Sequence, residues 1–337
     1  MGIKISLLAV MILIFGVFLG IEVLKLHYFF GIVVPCLALA IFLMGIVYRI
    51  IMWGRTPVPF RIPTTCGQQK SLSWIKQDKL DNPAATAGVV GRMLLEVLFF
   101  RSLFRNTKAE MTEDARIVYQ WEKWLWLAAL IFHWSFLIIV LRHLRFFTDP
   151  VPGLIYYLEK TDGFFLINLE SLYLTGAALL IAVTYLFVRR VAIPQVRYIS
   201  LPADYFPLII IFGIASTGML MRYVFREDVA AVKEMMMGLV AFSPAVPEGV
   251  GALFFIHLFL VCLLFAYFPF SKLLHMGGIF LSPTRNLPND SRQARHLNPW
   301  NYPVKVHAYE AYEEEFRAKM KAAGLPVEKE TGEKEVV

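Results

Sequence analysis

The sequence predicts an all-α protein: a six-helix transmembrane bundle with a cytoplasmic amphipathic helix and an extended C-terminal tail. Three observations carry that reading. Of 337 residues, 58% are hydrophobic and only 18% charged, with a mean hydropathy of +0.58, a balance that excludes a soluble enzyme and a disordered chain. Six apolar runs are long enough to cross about 30 Å of hydrocarbon at about 1.5 Å per residue. The basic residues fall mainly on alternate connections, as the positive-inside rule requires. Seven Trp, 14 Tyr and 28 Phe would crowd a wet surface but suit lipid and its interfaces.

The runs cover roughly residues 5–24, 28–50, 122–145, 165–188, 204–224 and 250–271. The first follows Lys4 as a signal peptide would, but it is too long, and Leu24-Lys25-Leu26 offers no small-residue cleavage pattern. It reads as an uncleaved anchor. The chain then divides into two N-terminal spans (1–53), a cytoplasmic loop (54–120), a four-helix core (121–281) and a tail (282–337). One set of connecting segments holds 24 Lys and Arg; the opposite set holds only Lys25, Lys160, Arg226 and Lys233. Both termini are therefore expected in the cytoplasm of a prokaryote, with the chain in its inner membrane. The net charge of +7 reads as orientation rather than nucleic-acid affinity.

Within the loop, AATAGVVGRMLLEVLFFRSLFR (84–105) spaces Arg92, Glu96, Arg101 and Arg105 on a helical repeat. That suits an amphipathic helix lying at the interface or against a partner. The tail has too few apolar positions to fold alone, and Trp300, Tyr302 and Tyr309 are anchors of the kind that dock an extended segment on another protein. Its last dozen residues read as disordered. Cys36, Cys66 and Cys262 lie far apart and form no CxxC, which excludes a cysteine-ligated iron–sulfur cluster, a zinc ribbon within this chain and a disulfide framework. No transporter-type repeat stands out, and beyond Glu170 and Asp204 no intramembrane acids form a proton path.

Four of the seven histidines lie in or at the end of two spans: His133 and His143 in the third, His257 and His275 in the sixth. Each imidazole in hydrocarbon needs a reason. Ten residues of helix separate His133 from His143 by about 15 Å, enough for two haems stacked in one bundle. The two spans run antiparallel, so depth pairs His143 with His257 at the outer side and His133 with His275 at the inner. Eighteen residues of straight helix would extend about 27 Å; Phe268-Pro269-Phe270 supplies the kink that shortens it. With no CxxCH for covalent attachment, two bis-histidine b haems fit best. Four His at two depths cannot converge on one zinc or copper ion. Arg142 and Arg145 at the outer end, and Lys272 with Arg189 at the inner, are candidates for holding haem propionates; interfacial anchoring is their other reading. A haem-free membrane anchor or transporter subunit with structural histidines is the alternative from another functional class.

The ten-residue spacing in FHWSFLIIVLRH and the eighteen-residue spacing in HLFLVCLLFAYFPFSKLLH resemble the dihaem cytochrome b (gamma) subunit of respiratory nitrate reductase, over roughly residues 120–280. The additional N-terminal span, GRMLLEVLFFRSLFR and SPTRNLPND…RHLNPW look more like the DsrM family, the membrane subunit of the sulfite-reduction-associated DsrMKJOP complex. The membrane subunit of heterodisulfide reductase is similar over the core. The resemblance implies a dihaem cytochrome b that exchanges electrons between menaquinol or menaquinone and a cytoplasmic iron–sulfur subunit in dissimilatory sulfur metabolism. That partner would resemble a heterodisulfide reductase catalytic subunit (DsrK-like). A cytochrome c, an iron–sulfur protein and a second membrane subunit would complete the complex. The family's haem ligands map onto His133, His143, His257 and His275, and its quinone-site lysine onto Lys160, with Asp162 nearby. One departure concerns the residue before the second ligand: glycine in the nitrate reductase subunit, Arg142 here.

Overall fold

The computed structural model describes residues 2–56, 67–112, 114, 116–163, 165–167, 170–282, 284–290 and 306–328. They are mostly helical, with six helices long and apolar enough to cross a membrane. The first two are α1 (Gly2–Glu22) and α2 (Phe29–Gly54), the latter opening on a π turn at Phe29–Val33. Both are apolar all round, as membrane helices are. Leu8, Ile12 and Phe15 of α1 point outward while Val10, Val17 and Ile21 are buried.

The expected amphipathic segment forms two helices, α3 (Thr86–Phe99) and α4 (Arg101–Phe104), because Phe100 takes a left-handed conformation (φ 50°) between them. Val90 and Leu94, one turn apart on α3, are exposed, whereas Val89 and Arg92 are buried. A hairpin of β1 (Thr107–Met111) and β2 (Ile117–Trp121), with Ala109 opposite Tyr119, leads into α5 (Lys123–His143).

The next segment departs from expectation. After α6 (Gly153–Asp162), the residues assigned to the start of the fourth span form a small antiparallel hairpin, β3 (Phe165–Ile167) with β4 (Glu170–Leu172), and the span itself is α7 (Leu174–Ala192). Its start is set by the Asp162 carboxylate, which accepts the Thr175 N–H at 2.8 Å and so satisfies one of the donors a helix N-terminus leaves open. Its end runs past residue 188 because Arg189 and Arg190 occupy the last turn, where cations are favoured by the helix dipole.

The chain continues through α8 (Pro194–Ile199), α9 (Pro202–Leu220, prolonged by a π turn to Phe225), α10 (Val229–Val240) and α11 (Ala252–Tyr267). Pro202 opens α9, where its missing N–H costs nothing. The Asp228 side chain caps α10 by accepting from Ala230 and Ala231 N–H (2.8 and 3.2 Å). Helices α9 and α11 form the centre: α1 packs on both, α2 on α11, and α7 between α9 and α5. Ile210, Met235, Phe255 and Leu260 are fully buried there; between lipid-bathed helices such close packing, rather than exclusion of water, supplies the attraction. Helix α5 packs on α7 but has no comparable contact with α11.

The loop and the first part of the tail are tied into one polar unit. Arg92 donates to the carbonyls of Asp81, Thr284 and Arg285 (3.1, 3.0 and 2.5 Å), and burial pushes its guanidinium pKa below the ordinary value. Asn289 pairs with Asn82 and donates its backbone N–H to Pro83 O at 2.7 Å. Arg101 and Arg105 both bind Asp81, and Arg285 binds Glu96 at 2.9 Å. The tail is not extended throughout: after the short helix α12 (His275–Gly278), residues Tyr309–Ala322 form α13. Glu310 in its first turn, Lys319 and Lys321 in its last, and a Glu313–Arg317 pair one turn apart (3.3 Å) account for a helix with little apolar surface. Trp300 and Tyr302 lie outside the described residues.

Candidate functional site

His133 and His143 project from α5, His257 from α11, and His275 opens α12. The structure brings them together in two pairs. The His143 and His257 ring centres are 6.4 Å apart with planes at 16°; those of His133 and His275 are 6.0 Å apart at 84°. The first pair faces across the interval between α5 and α11, which make no extensive contact with each other, and the second pair lies between α5 and the start of α12.

Each ring is held through Nδ1. His133 donates to Ala129 O (2.7 Å), His143 to Ile139 O (2.7 Å) and His275 to Lys272 O (2.8 Å). His257 Nδ1 lies 2.9 Å from Thr217 Oγ1. The Thr217 hydroxyl has its own acceptor in Gly213 O at 2.7 Å, so its oxygen receives the His257 proton. With Nδ1–H donating in all four rings, the lone pair is on Nε2 in all four, and no hydrogen bond engages those atoms among the described residues. Orientation of a ligating imidazole through its other nitrogen is the usual support of a metal site.

His275 reaches its partner because the sixth span does not continue as a straight α-helix. Phe268–Phe270 is a 3-10 turn, Ser271 is extended, and Lys272–Leu274 is a second 3-10 turn capped by Ser271 Oγ. Helix α2 braces this break: Arg49 Nε donates to Pro269 O at 2.9 Å. Gly45 makes the approach possible, since a Cβ there would sit 2.7 Å from the Pro269 ring.

The charged residues expected at the site are all committed to protein partners except Lys160. Arg142 binds Asp162 at 2.5 Å, Arg145 binds Glu159 at 2.5 Å, Arg189 binds Glu122 at 2.8 Å, and Lys272 binds Asp204 at 2.7 Å. Asp162 is buried and also accepts from the Thr175 hydroxyl at 2.6 Å. Lys160 is exposed in the last turn of α6 and forms no ion pair among the described residues. Sequence reasoning overlooked Arg222, whose guanidinium lies 4.1 Å from the Tyr173 ring centre, on the ring that also carries Arg142 at 3.2 Å. Its signal was available: an arginine inside the last turn of an apolar span.

Neither pair is joined by a third His, Cys, Asp or Glu able to complete a metal site among the described residues. A site made of two imidazoles facing each other therefore suits an ion that brings its remaining ligands with it. Residues 89–289 match the family model of the nitrate reductase gamma subunit. The chain belongs to that family. The match spans all four histidines and the Arg142–Asp162 pair. The chain is also similar to the Hdr-like menaquinol oxidoreductase cytochrome b-like subunit of Archaeoglobus fulgidus, at 44% identity over 81% of this chain and 83% of that protein. A second relative of the same description, from Archaeoglobus profundus, is 42% identical over 79% of this chain and 81% of its own length.

Proposed function

We propose that this gamma-subunit relative is a membrane cytochrome b that holds two b haems and carries electrons between menaquinol at its outer side and a cytoplasmic iron–sulfur subunit. The ring separations carry the proposal. With a metal–imidazole bond of about 2.0 Å on each side, two imidazoles that shared one metal ion would have ring centres about 6 Å apart. The two pairs stand at 6.4 and 6.0 Å, with Nε2 as the available atom on each ring.

When bound, a bis-imidazole b haem supplies reversible one-electron uptake at its iron. The chain's residues do the rest. His143 with His257 and His133 with His275 would hold the outer and inner irons, and their Nδ1 acceptors fix the rings and raise ligand basicity. Lys160 would donate a hydrogen bond to a quinone carbonyl and stabilise charge developing there. Asp162, engaged by Arg142 and Thr175, would shape that site rather than act as a free base.

The basic-residue asymmetry supports an inner side that carries α3, the polar loop and both termini. Beside the inner pair lie Phe100, 4.9 Å from the His133 ring centre, and the indoles of Trp126 and Trp134, which donate to Phe99 O and Leu98 O. The loop between α3 and α4 thus adjoins the point where an electron would leave. A DsrM-type role, with a partner resembling a heterodisulfide reductase catalytic subunit, further subunits and a place in sulfur metabolism, is the finer form of the proposal. It is supported by the segments at 91–105 and 282–300 and by the "Hdr-like" description of the two relatives. The test is a pyridine haemochrome assay on purified protein: two b haems per chain are expected. A colourless protein would leave a haem-free anchor with structural histidines.

A further inference from the structure

Three charges meet around Tyr173, and they do not balance. Arg142 and Arg222 both lie over the ring, at 3.2 and 4.1 Å, and Asp162 neutralises Arg142 alone. Arg222 has no carboxylate and no hydrogen-bond acceptor among the described residues, and its Nε, like that of Arg142, is buried without a partner. Among the described side chains, Glu159 is engaged by Arg145, Asp149 by Lys233, and Glu227 by the Gly251 N–H. Arg222 is therefore the one guanidinium of the two that has no carboxylate in contact among the described residues, at the end of a membrane span, where an unpaired cation is expensive. Stacking on the aromatic ring offsets part of that cost.

We propose that Arg222, with Arg142 beside it, forms a carboxylate-binding site for a propionate of the haem held by His143 and His257, an assignment that rests on the bis-histidine reading. Arg142 leaves from α5, which carries His143, and Arg222 from the end of α9, which supports His257 through Thr217. Arg142 precedes His143 in sequence. Arg222 follows Thr217, which holds His257 Nδ1 at 2.9 Å, and Gly218, whose added Cβ would lie 3.3 Å from the His257 ring. Tyr173 fixes the height of both, its own N–H donating to Tyr223 Oη at 3.0 Å. A planar guanidinium fork matches a carboxylate in two hydrogen bonds. This shifts the outer propionate role from Arg145, which Glu159 occupies, toward Arg222.

The test is a redox titration of the two haems in the full chain with Arg222→Gln, Arg222→Lys and, as a charge control four residues on, Arg226→Gln. Loss of a cation in contact with a propionate favours the oxidised, more positive iron, so the outer potential should fall by about tenfold in the reduction equilibrium, or 59 mV for one electron. The inner potential should stay put. Arg222→Lys should hold the outer potential near its original value, and Arg226→Gln should move it much less than Arg222→Gln. Loss of the outer haem alone in Arg222→Gln, restored in Arg222→Lys, would be the same result in stronger form. An outer potential indifferent to Arg222→Gln, or equally displaced by Arg226→Gln or Arg222→Lys, would overturn the assignment and leave Arg222 to a phospholipid headgroup. A wild-type chain without haem would overturn the bis-histidine reading as well, which separates the two failures.

Discussion

His143 and His257 face each other with nearly parallel rings, 16° apart, whereas the rings of His133 and His275 stand at 84°. Parallel axial imidazoles act on the same iron d orbital and split it from its neighbour; perpendicular ones leave the two nearly degenerate. The oxidised outer haem should therefore give the more rhombic low-spin electron paramagnetic resonance signal, and the inner haem the more anisotropic one, with the larger maximum g value. Two signals with the same maximum g value would show that bound haem reorients the rings.

The pairing also dictates which haem each histidine variant removes. His143→Ala and His257→Ala should each abolish the rhombic signal, and His133→Ala and His275→Ala the anisotropic one. Low-temperature spectra of the four variants would reveal the match. Loss of the same component in His133→Ala and His143→Ala would contradict the pairing across α5 and α11.

Thr217 is the only side chain among the four Nδ1 partners; the other three are backbone carbonyls. Thr217→Val keeps the shape but removes the acceptor, so His257 loses its orientation. Such supporting contacts are worth about 10–100-fold in metal affinity. The outer haem should dissociate correspondingly faster in a haem-transfer assay to apomyoglobin while the inner haem stays bound.

The histidine spacing was legible in the sequence because a polar ring in an apolar run is conspicuous, and the Phe-Pro-Phe kink was legible because proline cannot continue a helix. The start of the fourth span was not. Asp162 sets it from twelve residues upstream through Thr175, a contact that hydropathy does not register. Nor did a residue count reveal that Arg142, Arg145, Arg189 and Lys272 each have a carboxylate: Glu122 and Arg189 are 67 positions apart, and only the packing of α5 on α7 makes them neighbours. The helix at 309–322 was hidden for the opposite reason, since charge placement along the helix, not apolar periodicity, favours it.

In the Arg142–Asp162 pair the carboxylate is buried and the guanidinium largely so, so removing one partner strands the other. Asp162→Leu should destabilise the outer end by about 3–5 kcal/mol, read as a lower melting temperature in detergent. Combining it with Arg142→Met should recover much of the loss, because the uncompensated charge is then gone. A double variant no more stable than Asp162→Leu would locate the cost in the Thr175 contact instead.

Lys160 is exposed and forms no ion pair among the described residues, so its loss should leave fold and haem content unchanged. If it hydrogen-bonds the quinone, Lys160→Ala removes a charged contact of about 1.5–3 kcal/mol and slows haem reduction by a menaquinol analogue at least about tenfold. Rapid-mixing absorbance would measure it, and an unchanged rate with intact spectra would exclude Lys160 from the site.

The tail can be divided by what its residues touch. Residues 284–290 belong to the polar unit formed with the loop: Arg92 holds the carbonyls of Thr284 and Arg285, and Asn289 pairs with Asn82. Cutting after Leu281 would therefore leave the buried Arg92 guanidinium short of two acceptors and loosen α3 together with the docking surface. Truncation after Asp290 retains those contacts and removes Trp300, Tyr302, Tyr309 and α13. If the distal tail docks an iron–sulfur subunit, this shorter chain should keep both haems and their reduction by quinol while losing its partner on purification. Retention of the partner at full stoichiometry would assign docking to α3, where Val90 and Leu94 are exposed. In that case charges introduced at Val90 and Leu94 should release the partner, with the haem spectra again unchanged.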